Sequence, residues 1–422
     1  MAMTAYREIN QCRICGNHTL EHVLSLGAQH LTGVFPKTPT QKVSAGPLEL
    51  VKCREDEDGN GCGLLQLKHS FNPDEMYRAD YGYRSGINQS MTNHLQHIVR
   101  SVLGHVELKS GDVVLDIGSN DATLLKAYPQ ANISCIGIDP SGESFRRFYP
   151  PQITLVVDYF SADAVKPFLD GKKAKVITSI AMFYDLASPL AFMQDIKEAL
   201  VEDGVWVSEQ SYMPAMLRQN AYDTVCHEHV EYYGLRQIKW MADRVGFKIL
   251  DVELNDINGG SFQVTMAHEH SNHKPVSNQW LALLKQEKEL GLDTPRPYRE
   301  FKDSVYRHRD DLIRTIRDIN KRGETILGYG ASTKGNVLLQ FCGFTGHDIP
   351  AIADRNPEKH GRYTPGTLIP IVSESSARER KPNYFLALPW HFKEEFLKRE
   401  RAFLESGGKI MFPLPKIEAI GK

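Results

Sequence analysis

Through the middle of this chain, short and nearly unbroken apolar runs alternate with stretches of helical periodicity. Val113–Ile117, Ser134–Ile138, Ile153–Val157, Val176–Ile180 and Val205–Ser208 have the length and unrelieved hydrophobicity of strands buried on both faces. Met91–Leu103 and Leu190–Leu200, the latter ended by Gly204, supply helices before and between them. That alternation predicts a doubly wound parallel sheet, with Phe247–Leu254 and Ser261–Ala267 extending it as antiparallel strands. Further on, Phe301, Val305, Leu312, Ile316 and Ile319 repeat at helical spacing within Pro297–Lys321, a stripe that reads as a packing face. Beyond Gly323, strands at Thr325–Gly328, Ile349–Ala353 and Tyr384–Leu388 predict a second, smaller α/β unit. The expected division is a cysteine-bearing module over 1–75, an α/β domain over 76–270 and an α/β domain over 271–422.

Composition narrows the class. The 422 residues carry 50 Lys plus Arg against 52 Asp plus Glu, so no basic surface for nucleic acid is expected. No apolar run reaches the roughly 18 residues of a membrane span, and Met1–Asn10 lacks the apolar stretch of a signal peptide. A cytoplasmic monomer without membrane or nucleic-acid partners is expected. Seven cysteines in a long chain do not suggest a disulfide framework. Cys12 and Cys15 form a CxxCG knuckle, and Cys53 with Cys62-Gly63 supplies a second pair, spread by a polar loop. Four thiolates suit a tetrahedral structural Zn²⁺; four reduced, unliganded cysteines are the alternative.

Three strand ends carry candidate cofactor chemistry. Val113–Ile117 runs through Asp116 into Gly118-Ser119-Asn120-Asp121-Ala122, a carboxylate suited to a cationic or amine-bearing ligand rather than a pyrophosphate. Asp139-Pro140 closes the next strand, where a ribose diol is held in such folds, and Asp158-Tyr159-Phe160 closes the third, an acid and aromatics placed to bracket an adenine. The trio resembles the S-adenosylmethionine site of class I methyltransferases, except that Ala122 stands where that loop usually ends in glycine. An NAD site or an empty Rossmann-like domain is the alternative. In the second α/β unit, Gly328-Tyr329-Gly330-Ala331-Ser332-Thr333-Lys334-Gly335-Asn336 follows a strand and opens a helix, so small residues, hydroxyls and a lysine meet a helix N-terminus suited to a pyrophosphate. Tyr329, Gly330, Ser332, Lys334 and Asn336 are candidates for it, and Asp354 and Lys359, after the next strand, for the ribose or base. Tyr184 and Asp185 follow another strand end and face the cofactor crevice.

The cysteine pairs, Tyr81-Gly82-Tyr83-Arg84-Ser85-Gly86, the cofactor strands, His227-Glu228-His229 and Gly328–Lys334 together resemble the zinc-containing sugar C-methyltransferases, over nearly the whole chain. That resemblance implies a middle domain binding S-adenosylmethionine, a C-terminal domain helping to hold a nucleotide, and a Glu-His pair with tyrosines around a keto sugar. It favours His229 as general base, with Glu228 orienting it or touching the sugar, and Tyr81 and Tyr83 hydrogen-bonding an enolate oxygen. In an extended segment His227 and His229 would share one face and Glu228 the other; a metal at this triplet, or a surface histidine pair, are the other readings. Two departures stand out: Cys226 replaces a frequent tyrosine, and Ser179–Asp185 lacks a histidine that some members carry. The expected reaction is S-adenosylmethionine-dependent methylation of a carbon, by family habit carbon 3, of a nucleotide-linked 4-keto-6-deoxysugar, giving a branched-chain sugar in deoxysugar biosynthesis. The rivals are a small-molecule O- or N-methyltransferase and a zinc-ribbon nucleic-acid binder.

Overall fold

The computed structural model describes residues 6–55, 61–77, 83–129 and 132–421. The N-terminal module is built on an antiparallel hairpin of β1 (Leu20–His30) and β2 (Ala45–Cys53), with β3 (Leu65–Leu67) alongside β2. Helix α1 (Gln89–His105) then leads into a seven-stranded sheet. Its strands are β4 (Val113–Ile117), β5 (Ser134–Ile138), β6 (Ile153–Val156), β7 (Ala174–Ile180) and β8 (Leu200–Ser211), with α2 (Pro189–Ala199) packed before β8. After β8 the chain leaves this sheet. It contributes β9 (Glu231–Tyr232), which pairs antiparallel with β3 and so becomes the fourth strand of the N-terminal sheet. Helix α3 (Leu235–Val245) returns it to the larger sheet, which β10 (Phe247–Asn255) and β11 (Ser261–His268) complete.

The strand order is β10-β11-β8-β7-β4-β5-β6. β4 to β8 run parallel, and β11 lies antiparallel to β8. β10 pairs antiparallel with β11, so both added strands join through antiparallel ladders, as expected, and β10 points the same way as the body of the sheet. The chain crosses from β6 back to β7 on the other side of β4, and the carboxyl ends of β4 and β7 therefore flank a switch point, where open α/β sheets bind ligands. Trp206, 1 % exposed, anchors one face against Phe183, Phe192 and Phe247, and its indole N–H donates to Ser179 Oγ at 2.9 Å. Gly204 is not the helix stop expected of it. α2 ends at Ala199, and Gly204 lies inside β8 at a register shift, where an added Cβ would come within 2.9 Å of Lys175 O.

The long helix α4 (Arg296–Lys321) buries the expected stripe, with Tyr298 and His308 added to it. It leads to a six-stranded sheet of order β14-β13-β12-β15-β16-β17, from β12 (Ile326–Tyr329), β13 (Ile352–Asp354), β14 (Ile371–Ser373), β15 (Tyr384–Ala387), β16 (Lys409–Phe412) and β17 (Glu418–Ile420). All but β17 are parallel, and α5 (Thr333–Phe341) follows β12. The N-terminal module is bolted to this domain. Gln340, on α5, accepts from His30 N at 2.8 Å and donates to His30 O at 3.2 Å, as a neighbouring strand would. Among the described residues no helix is long and apolar enough to cross a membrane.

Ile316 is fully buried on α4. Ile316→Ala should lower unfolding free energy by about 2–5 kcal/mol, because the site loses contacts and keeps a cavity. Denaturant titration would read it; a change below ~1 kcal/mol would mean that the helix face is not the packing surface described.

Candidate active site

One cavity of about 590 Å³ opens between the carboxyl ends of both large sheets. β4 brings Asp116 and Gly118 to it, β5 Asp139 and Pro140, and β8 Glu209; Gly33 and Phe35 enter from the N-terminal module. Asp116 is 4 % exposed, and burial pushes its carboxyl up to about 7, although Thr178 Oγ1 donates to it at 2.5 Å. A buried acid of this kind is stabilised in its ionised form by a cation, which suits the charged amino-acid end of S-adenosylmethionine. Asp139 accepts from Asn120 N at 2.8 Å, Ser141 N at 2.7 Å and Ser141 Oγ at 2.5 Å, fixing the loop after β4, and retains lone pairs for a ribose diol. Ala122 has φ +61°, a conformation that glycine adopts without strain, so the loop is built to the glycine pattern with one methyl held in it. Tyr159 and Phe160 line the cavity, but Asp158 does not: it is exposed and accepts from Tyr159 N. The expected acid of the adenine pocket is thus a turn residue.

The opposite wall comes from the second domain. Tyr329, Gly330, Ser332, Lys334, Asp354 and Lys359 all line the cavity. Several of their polar groups already have partners. Tyr329 OH donates to Glu400 at 2.6 Å, Ser332 Oγ caps α5 by accepting from Gly335 N, and Asp354 accepts from Ala331 N at 2.7 Å. Lys334 Nζ donates to Asn258 O at 2.6 Å and Lys359 Nζ to Ala331 O at 2.7 Å; burial lowers both ammonium groups, which favours an anion beside them. Asn336 departs from expectation. It is 1 % exposed, does not line the cavity, and its amide donates to Thr32 O at 2.7 Å. Because α5 turns Asn336 toward the N-terminal module, a structural bond takes the place of the expected ligand contact.

Between the two walls runs the His227-Glu228-His229 segment. The expectation that both histidines would share a face fails, since the backbone here is a turn rather than a strand. His227 is fully buried away from the cavity, with Nε2 donating to Gly46 O at 3.3 Å and its ring against Phe71. Glu228 and His229 both line the cavity. His229 Nδ1 lies 2.9 Å from Thr224 O, and a carbonyl can only accept, so Nδ1 carries the proton and Nε2 the lone pair. Burial, with Lys334 nearby, pushes the His229 imidazole down to about 3, while burial raises the Glu228 carboxyl. Tyr184 packs its ring 4.3 Å from that of His229 and lines the cavity together with Asp185. Tyr83 is 45 % exposed and lines the cavity; Tyr81 lies outside the described residues. Cys226, fully buried, is not part of the lining.

Sequence reasoning passed over Glu209, His391 and the Thr32-Gly33 step. Glu209 is 2 % exposed at the cavity wall, bonded to His94 Nε2 at 2.6 Å and Asn255 Nδ2 at 2.8 Å. Its signal in the sequence is the one that marks Asp116, an acid inside a buried strand run. His391 also lines the cavity, near Lys334. Thr32 and Gly33 leave no signal, being a small polar pair in a loop.

Away from the cavity, the sulfurs of Cys12, Cys15, Cys53 and Cys62 all lie within 4.8 Å of one another. Two edges, Cys12–Cys62 and Cys15–Cys53, measure 3.5 Å, close to the ~3.8 Å edge of a tetrahedron with Zn–S near 2.3 Å. Gly16 and Gly63 follow the knuckles at φ +73° and +71°, the left-handed turns that bring each pair of thiols round. The residues therefore fit zinc, and none of them lines the cavity, which makes the ion structural.

A sheet with one antiparallel strand inserted beside β8 and acids at its central strand ends defines a class I methyltransferase, the class that uses S-adenosylmethionine. Residues 12–77 match the family model described as "Putative zinc binding domain", 89–252 that of a methyltransferase domain, and 256–415 that of a C-methyltransferase C-terminal domain. Over 417 residues the chain is 29 % identical to C-methyltransferase NovU of Streptomyces niveus, covering 98 % of this chain and 97 % of that one. These matches make the chain an S-adenosylmethionine-dependent C-methyltransferase with an N-terminal zinc-binding module. Solved structures that resemble it include the plantazolicin methyltransferase BamL with S-adenosylhomocysteine (TM-score 0.35, 11 % identity, 43 % of this chain and 86 % of that one). The YcgJ protein of Bacillus subtilis is another (TM-score 0.33, 12 % identity, 42 % of this chain and 100 % of that one).

Metal analysis of protein purified without chelator should give one zinc per chain. Cys62→Ser should lose the ion and at least about 3 kcal/mol of stability, since a structural zinc site is worth ~10–16 kcal/mol in small zinc domains. A zinc-free parent protein of full stability would contradict the site.

Proposed function

We propose that this enzyme methylates carbon 3 of a nucleotide-linked 4-keto-6-deoxysugar, giving a branched-chain sugar. The observation that carries the reading is the single cavity shared by an acidic cofactor wall and a lysine-bearing wall, with Glu228 and His229 lining it as well. Asp116, Asp139 and the Gly118–Asn120 loop hold S-adenosylmethionine, with Tyr159 and Phe160 beside the adenine. Lys334 and Lys359 face the substrate's diphosphate, with Asp354 at its ribose, and the keto sugar reaches inward past Tyr184 and Asp185.

S-adenosylmethionine supplies a methyl group on a sulfonium. The 4-keto group acidifies the neighbouring C–H, and His229 Nε2 takes that proton as the C–H electrons move into an enolate. The enolate carbon forms a bond to the methyl as the S–CH3 bond breaks, leaving S-adenosylhomocysteine. General-base assistance of this kind is typically worth ~10²–10⁴-fold. With an imidazole held near 3, His229 keeps its lone pair throughout the working range but is a weak base unless its imidazolium is stabilised. An ionised Glu228 beside it opposes that effect by favouring the imidazolium as it forms. Tyr83, at the cavity wall, is placed to meet the enolate oxygen.

His229→Asn should abolish methyl transfer and deuterium exchange of the acidic proton while both ligands still bind. Exchange that survives in His229→Asn but is lost in Glu228→Gln would make Glu228 the base. Lys334→Ala should raise KM for the nucleotide sugar about tenfold or more, with S-adenosylmethionine affinity unchanged; an unaltered KM would move the diphosphate elsewhere.

A further inference from the structure

The loop that follows β1 brings Gly33 and Phe35 of the N-terminal module to the cavity, and its Thr32-Gly33 step meets Glu228 there. Thr32 is fully buried, and its hydroxyl donates to Glu228 Oε2 at 3.2 Å. Gly33 N–H also donates to the Glu228 carboxylate. An added Cβ at Gly33 would lie 2.7 Å from Glu228 Oε1, so a side chain here would push the carboxylate aside. The step is itself held from behind, because Asn336 Nδ2 donates to Thr32 O at 2.7 Å. Thus two donors from the zinc-bearing module converge on a carboxylate that is 8 % exposed. We propose that Thr32 is a positioning residue for Glu228, aiming its carboxylate into the cavity and keeping it ionised, so that the N-terminal module is a working part of the active site.

The physical case rests on the cost of a buried charge. Burial raises the Glu228 carboxyl, and hydrogen bonds to the ionised form are what oppose that rise. Bonds to a charged acceptor are the strong ones, and the low-dielectric surroundings strengthen them further. The carboxylate's own backbone N–H and the Cys226 thiol favour the ionised form from within the segment, and Thr32 and Gly33 do so from the N-terminal module. The inference rests on the proposed role of the Glu228-His229 pair, but its test includes a measurement that needs no substrate.

The test compares Thr32→Val, which keeps the shape and removes the donor, with Thr32→Ser, which keeps the donor. The infrared band of the Glu228 carboxyl, isolated by subtracting the Glu228→Gln spectrum, should titrate about one pH unit or more higher in Thr32→Val. With the donor gone the acid ionises at higher pH, so the acid limb of kcat/KM should move up by a similar amount. At neutral pH kcat should fall about tenfold or more, with S-adenosylmethionine affinity unchanged, and Thr32→Ser should restore most of it. Thr32→Val with the parental midpoint and parental kcat overturns the proposal. If Thr32→Val does not fold, as zinc content and circular dichroism would reveal, Gly33→Ala decides by the same titration, since its methyl would displace Glu228; an unmoved midpoint there also overturns it. A shifted midpoint in an enzyme whose parent form neither methylates nor exchanges a nucleotide-linked keto sugar would remove the substrate reading and leave the positioning role standing.

Discussion

The site depends on how one short segment, Val225 to Tyr232, is held among three modules. Val230 N donates to Tyr184 O at 3.0 Å, which ties the segment to the turn after β7. Leu67 N donates to Val230 O at 2.9 Å, and β9 then joins the N-terminal sheet. His227 anchors to Gly46 O, and Glu228 receives the Thr32 hydroxyl. Trp390 of the C-terminal domain donates to Asp223 Oδ2 at 2.8 Å, just upstream. Without these bonds the two side chains between the ligand walls would belong to an unsupported loop. With them, their backbone is as fixed as a strand.

This arrangement buries charge, which proteins tolerate only with partners. Asp223 is 1 % exposed and raised by burial, and the Lys334 ammonium opposes that rise; each also has a hydrogen bond, to Trp390 Nε1 and to Asn258 O. Asp116 depends on Thr178, and Glu209 on His94 and Asn255. Burial makes Asp116 and Lys334 costly to ionise, and a ligand of opposite charge beside either offsets that cost. Part of the favourable interaction with a sulfonium cofactor, and with an anion at the lysine-bearing wall, is therefore prepared in the fold.

Zinc has its place in that preparation. The four cysteines lie far enough from the cavity to take no part in its lining, yet Cys53 ends β2, and β2 carries both β1 and β3. The ion fixes the base of the hairpin whose far end delivers Thr32 and Gly33. A small module gains rigidity from such a staple.

The sequence by itself determined the two sheets, the strand-end acids Asp116 and Asp139, the stripe of α4 and the cysteine set. Each of these is written in local periodicity or spacing, and β4 and β5 fall on the expected residues. Tertiary structure decided what local pattern cannot carry. It turned Asp158 outward and Asn336 toward Thr32, and made Gly204 a strand residue. It also sent His227 away from the cavity while Glu228 and His229 remained in it, although the three are consecutive. The reason is physical. A side chain's direction at a turn follows from backbone bonds to distant segments, here Gly46, Thr32 and Tyr184, and those partners come together only when the chain has folded.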